Sequence, residues 1–129
     1  MKVNKLTPVL FVKRIEPCID FWEKRLGFAR VAEVPEGDHL GFVLLVRDGI
    51  EVMYQTWSSV GADIPPVGRE AMTSRQFIYV DVDELAAFET ALAGVDYLLP
   101  KRKTFYGATE VIVREPGGHV VVFAQTATA

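Results

Sequence analysis

Residues 8–28 read PVLFVKRIEPCIDFWEKRLGF: a strand, a short turn, an amphipathic helix and the start of a second strand. Val9, Leu10, Phe11 and Val12 form a continuous apolar run of β-type residues, short enough for a buried strand. Pro17 suits the first turn of a helix, where a missing N–H costs nothing. Ile19, Trp22 and Leu26 recur at helical spacing and form one apolar stripe, while Asp20 and Lys24 pair across one turn on the wet side. Gly27 stands where a left-handed residue ends a helix.

Working outward, the same order appears a second time. Phe28–Val34 reads as a strand closed by Pro35-Glu36-Gly37-Asp38, and His39–Arg47 as another, followed by the hairpin signal Asp48-Gly49. Ile50–Trp57 is the return strand. A polar segment from Ser58 to Ser74, carrying Pro65-Pro66, reads as a linker with room for a short helix near Arg69–Met72. Arg75–Val82 then restarts the pattern, with Asp83 as helix cap and Leu85, Phe88 and Leu92 as the stripe. Those positions follow Ile19, Trp22 and Leu26 at a constant offset of 66 residues, and Gly94 takes the place of Gly27. Strands around Tyr97–Leu99, Thr104–Arg114 and His119–Gln125 complete the unit, the last two joined at Glu115-Pro116-Gly117-Gly118. The order βαβββ therefore occurs twice, within about 4–57 and 75–126, predicting an α+β domain of two four-stranded sheets with a helix on the outer face of each and a central cavity between their inner faces.

The whole chain of 129 residues sets bounds on function. Half the residues are hydrophobic and the net charge is −3, which argues against nucleic acid, because phosphate neutralisation needs clustered basic residues. Lys101-Arg102-Lys103 is short and reads as a solvated loop. Cys18 is alone, so no intrachain disulfide forms; a reducing compartment, the cytoplasm, is expected. No apolar run approaches the ~20 residues of a membrane helix, so no membrane association is expected. No Gly-rich phosphate loop and no nucleophile elbow is present.

The ordered set PVLFV, DFWEKRLGF, DGIEVMYQ, FIYVDVDELAAFETAL and YGATEVIVREPGGHVVVF resembles the vicinal oxygen chelate superfamily, also called the glyoxalase, bleomycin-resistance and dioxygenase fold. The resemblance covers nearly the entire chain. It implies a four-ligand metal site in metal-dependent members, with one His, Gln or carboxylate on each of four strands. Carried over, those positions fall on Pro8, Glu51, Phe77 and Val122, of which Glu51 alone offers a metal donor. His39 opens a strand, and His119 sits in the closing Asp-Pro-x-Gly-Asn/His turn of the family pattern, where it reads as a loop-stabilising residue. No metal, no cofactor and no catalytic residue are therefore expected, and the pattern is nearest to metal-free bleomycin-resistance-like proteins.

With those four positions facing inward, period-two alternation adds Leu6, Leu10, Met53, Gln55, Tyr79 and Asp81 to the lining, and Phe42 and Leu44 from the third strand. Val9, Phe11, Ile78 and Val80 should then pack on the helices. The expected ligand-binding set is Pro8, Leu10, Phe42, Glu51, Met53, Trp57, Phe77, Tyr79, Tyr106, Glu110 and Val122. Trp57 stands at the mouth, and Tyr106-Gly107 and Glu110 resemble the family's Gly-x-x-Glu run. Glu51 should find a partner, with Arg75, Arg114 and Tyr106 as candidates, or meet solvent or a cationic ligand, since an unpaired carboxylate facing an apolar cavity is costly. The implied function is sequestration of a small molecule, an antibiotic among the candidates, by a homodimer. The alternatives are a metal-dependent glyoxalase-like lyase, isomerase or dioxygenase, and a non-catalytic regulatory dimer.

Overall fold

The computed structural model describes residues 1–126. Its contacts divide the chain into two units, Met1–Ser74 and Arg75 onward. The first contains β1 (Val9–Val12), α1 (Glu16–Ile19) running into a π-helical stretch (Asp20–Arg25), β2 (Ala29–Glu36), β3 (His39–Arg47) and β4 (Ile50–Thr56), then α2 (Trp57–Asp63) and α3 (Pro65–Ala71). The second contains β5 (Phe77–Asp81), α4 (Leu85–Ala91), β6 (Asp96–Lys103), β7 (Ala108–Arg114) and β8 (Val120–Thr126). The sheets have the orders β1-β4-β3-β2 and β5-β8-β7-β6, with β1–β4 and β5–β8 parallel and the remaining pairs antiparallel. This is the α+β architecture of two βαβββ modules.

In the first unit β1 and β2 occupy opposite edges, so the chain between them must cross one face of the sheet. The helical segment does so, burying Ile19, Phe21, Trp22 and Leu26. Sequence spacing leaves Phe21 off this stripe; the π-helical turn, wider than an α-turn, brings Phe21 and Trp22 inward together, their rings edge-to-face at 5.3 Å. The Trp22 indole Nε1 donates to the Tyr54 hydroxyl at 2.8 Å, tying this segment to β4. Lys24 and Asp20 pair at 3.2 Å on the outside, and Gly27 ends the helix at φ +72°.

The alternation along β1 is opposite to that expected. Leu10 and Val12 are fully buried and lie beside Tyr54 and Thr56 in the parallel register, on the helix-covered face. Val9 and Phe11 therefore lie on the other face, beside Met53 and Gln55. Counting inward positions from Pro8 gave the wrong parity. The Pro8 carbonyl accepts from Met53 N–H, and it is Thr7 whose hydroxyl reaches Glu51.

The second unit repeats the plan with different caps. Phe88 of α4 stacks on Phe123 of β8 at 5.3 Å, and Leu85 and Leu92 are buried. Asp83 does not cap this helix. Its N-cap is Glu84, without a side-chain bond, and the Leu85 N–H is taken by Gln125 Oε1 of β8 at 2.8 Å. His119 is fully buried in the β7–β8 turn, where its Nδ1 accepts from Gln76 N–H and its own N–H donates to Glu115 Oε1.

Two segments read as irregular are regular. The segment Ser58–Ser74, expected as a linker with at most a short helix near Arg69–Met72, is largely helical: α2 and α3 occupy it and take in Trp57, expected in the return strand, with Thr56 capping α2 by accepting from Ser59 N–H. The two helices approach so closely that a Cβ on Gly68 would lie 2.5 Å from the Gly61 Cα. Lys101-Arg102-Lys103 belongs to β6, and the turn lies instead at Thr104–Gly107, where Gly107 has φ +87°. Two of the four edge strands, β2 and β6, carry a proline, charged residues and register breaks, features that discourage further strand pairing. At the β2–β3 hairpin, His39 bonds Asp38 through Nδ1 and Glu36 through Nε2, both at 3.1 Å.

Two outcomes follow from these contacts. Tyr54→Phe leaves the buried Trp22 N–H without its acceptor and should cost about 1–2 kcal/mol in urea unfolding. The His39 pKa is raised above 6.5 by its bonds to Asp38 and Glu36. Its contribution to stability should be fully present below the unfolded value and lost as pH rises through the folded one. An NMR titration of the imidazole in the wild type, with His39→Gln as the silent control for the matching stability change, checks this.

Candidate functional site

Each sheet has one face under its crossover helix and one turned away from it, and the second kind of face carries most of the expected ligand-binding residues. On the first sheet that face is built by Val9 and Phe11 of β1, Glu51, Met53 and Gln55 of β4, and Phe42, Leu44 and Val46 of β3, in direct register. All are half-buried. Phe42, Glu51 and Met53 are therefore brought together, and Leu10 is excluded. Leu6 stands exposed before β1.

Glu51 is paired, by residues the sequence reading did not name. Lys5 forms an ion pair with its Oε2, and Thr7 donates to Oε1 at 3.5 Å. Both precede β1, in a segment with no apolar periodicity to place it. Trp57 does not stand free at a strand end: it opens α2, and its buried Nε1 has no hydrogen-bond partner among the described residues.

On the second sheet the corresponding face is richer in aromatic surface. Val120, Val122, Ala124 and Ile112 form its apolar floor. Phe77 and Tyr79 stand over it, 68% and 50% exposed. In this register Tyr79 neighbours Val122, and Asp81 neighbours Ala124, which in turn neighbours Glu110. Phe77, Tyr79, Glu110 and Val122 thus share one face.

Glu110 is the buried charge of this face, its side chain 3% exposed. Arg102 grips it from β6, donating from Nε and Nη2 to the same oxygen, Oε1, at 2.7 and 2.6 Å. Among the described residues the other oxygen, Oε2, receives only a long bond of 3.5 Å from the Tyr106 hydroxyl. A buried carboxylate is tolerated when paired in this way, and truncation of one partner leaves the other exposed to the cost of an isolated charge. The Tyr79 phenol is held above its usual range by desolvation, then by Tyr106, Glu110 and Asp81. Arg102 was missed because Pro100 and the register breaks in β6 interrupt the period-two pattern that would have placed it.

The residues do not fit the superfamily metal site. Of the four positions carried over, Phe77 and Val122 offer no side-chain donor; Pro8 lies off the helix-free face, where Thr7 stands in its place, and Glu51 is engaged by Lys5 and Thr7. Among the described residues no group of three His, Cys, Asp or Glu side chains is placed to hold a metal ion. His39 and His119 are spent on the hydrogen bonds given above. A groove of about 440 Å³ beside the β2–β3 hairpin is lined by Glu16, Asp20, Arg30, Glu33, Asp38 and His39. Most of those charges are already paired: Arg30 with Glu33, Asp20 with Lys24, and Asp38 with His39. It contains none of the expected ligand-binding residues. Among the described residues no helix is long and apolar enough to cross a membrane.

The fold has many solved counterparts. The chain matches a lactoylglutathione lyase from Agrobacterium tumefaciens with TM-score 0.76 and 14% identity, over 97% of this chain and 95% of that one. It matches the bleomycin resistance determinant encoded on transposon Tn5 with TM-score 0.69 and 18% identity, over 98% and 100%. The bleomycin-binding protein of bleomycin-producing Streptomyces verticillus, complexed with copper(II)-bleomycin, aligns with TM-score 0.62 and 22% identity, over 100% and 99%. No curated protein matches in sequence. The family model of the glyoxalase/bleomycin resistance protein/dioxygenase superfamily matches residues 3–123. Two βαβββ modules and a match over nearly the whole chain lead to one conclusion: this protein belongs to the glyoxalase/bleomycin resistance protein/dioxygenase superfamily.

Proposed function

We propose that this chain is a metal-independent small-molecule-binding protein that sequesters its ligand rather than transforming it. The observation that carries the reading is the second sheet's helix-free face. Phe77 and Tyr79 are exposed over an apolar floor, while the metal-ligand positions Phe77 and Val122 carry no side-chain donor and Glu51 is engaged by Lys5 and Thr7. Apolar and aromatic walls with a few placed polar groups are how small-molecule sites are built. The similarity to two bleomycin-binding or resistance proteins supports an antibiotic as the first ligand to try. A net charge of −3 suits a cationic one.

The working form is a cytoplasmic homodimer. A single chain leaves Phe77, Tyr79, Phe105 and Tyr106 exposed, and a second copy shields such surface at the rim of a shared cleft.

The test joins metal content with ligand titration. Protein purified without chelator should carry no stoichiometric metal. Calorimetry of the chelator-treated form with Zn²⁺, Ni²⁺, Mn²⁺ and Fe²⁺ should show nothing tighter than about millimolar, roughly −4 kcal/mol. A bleomycin-type antibiotic, metal-free or copper-loaded, should bind with saturable heat, and expression should protect cells from it. One tightly held metal per chain, lost in Glu51→Ala, would overturn the proposal in favour of a metal-dependent lyase, isomerase or dioxygenase.

A further inference from the structure

Two features of the second sheet's helix-free face go beyond an aromatic surface. The first is the lopsided Glu110–Arg102 pair. Both guanidinium bonds fall on Oε1, so Oε2 keeps acceptor capacity that the 3.5 Å Tyr106 bond satisfies weakly. A buried carboxylate oxygen in that condition needs an explanation in the site's chemistry. The second is the placement of the phenols. Tyr106 directs its O–H inward to Glu110, and Tyr79, on the same face, lies within interaction distance of both Tyr106 and Glu110. A phenol that donates inward presents its oxygen lone pairs outward, and donation to a carboxylate makes that oxygen a better acceptor.

The charges around these phenols favour the same polarity. Glu110 is buried behind them, whereas the Arg102 side chain is 53% exposed and its charge is spread toward water. Asp81 lies on the same face. Arg114 of β7 donates its Nη1 to the Gly118 carbonyl at 2.9 Å. Phe77, two residues before Tyr79 on β5, adds an exposed ring on the same side.

Resting on the small-molecule reading above, we propose that Tyr79 and Tyr106, backed by the Glu110–Arg102 pair, form a subsite for a planar group bearing N–H donors: an amide, amidinium or aminoheterocycle. The plane stacks against Phe77 and Tyr79, and its N–H groups donate to the two phenolic oxygens. Glu110 acts through Tyr106 as a positioning residue; it sets the direction of that O–H bond.

Binding of benzamidinium, benzamide and benzoate, followed by ¹H–¹⁵N chemical shifts of the full chain, tests this. Benzamidinium should bind at least tenfold tighter than benzoate, with benzamide between them and the largest shifts on β5 and the 104–107 turn. Tyr79→Phe and Tyr106→Phe change exposed side chains and should leave the thermal midpoint within a few degrees. Each should weaken benzamidinium at least fivefold while hardly moving benzoate. Glu110→Gln, if folded, should reduce the benzamidinium preference to under threefold; the two Phe variants decide the matter if it is not. Benzoate binding as tightly as benzamidinium, or Phe variants identical to wild type, would overturn the subsite. An antibiotic bound equally by wild type and both Phe variants would also overturn it, leaving sequestration intact. Selective benzamidinium binding with no antibiotic binding would uphold the subsite and remove the antibiotic reading.

Discussion

Parallel pairing between the first and last strand of each module is the constraint on which the rest depends. Parallel neighbours cannot be joined by a tight turn, so the chain must travel across the sheet before it returns. In both modules the helix makes that journey immediately after the first strand, and the three remaining strands fold back as hairpins. One face is thereby covered in the course of making the sheet, and the other is left to be furnished by side chains. Tyr54, hydrogen-bonded to Trp22, and Phe123, stacked on Phe88, belong to the covered faces. Met53 and Val122, one residue earlier on the same two strands, belong to the others.

The two carboxylates on the uncovered faces show two ways of meeting the cost of desolvation. Glu51, half-buried, is met by a flexible lysine and a threonine hydroxyl from the segment before β1. Glu110, almost wholly buried, is met by an arginine directly across the ladder from it. Arginine suits the second case because its planar fork is pre-organised and more weakly hydrated than an ammonium. The first pair is exposed at its lysine end and open to screening by salt; the second is sheltered at its acid end. A common residue type therefore serves as an adjustable surface charge in one module and as a fixed anchor in the other.

Much of this was legible in the sequence. The repeat of Ile19, Trp22 and Leu26 as Leu85, Phe88 and Leu92, each followed by a glycine stop, carried the duplication, and the order of hairpin signals carried the sheets. Alternation placed Phe42, Met53, Phe77 and Tyr79 on the faces they occupy. It failed at Leu10, because a four-residue apolar strand has no polar residue to mark its parity and the count was started from a proline outside the strand. It failed at Arg102 because β6 slips register around Pro100. The lysine partner of Glu51 and the cap of α4 come from residues 46 and 40 positions away in sequence, and local pattern carries no record of such meetings.

The helices of residues 57–71 change the arithmetic of the connection between modules. As an irregular tether, the seventeen residues 58–74 have a contour length of about 60 Å at ~3.5 Å per residue. With α2 and α3 packed through Gly61 and Gly68, the extensible part shrinks to the five residues from Met72 to Gln76, a reach of about 17 Å at the same rise. Exchange of whole modules between two copies therefore demands either partners that lie close by or the melting of α3. The insertion that separates the repeats works as a short leash.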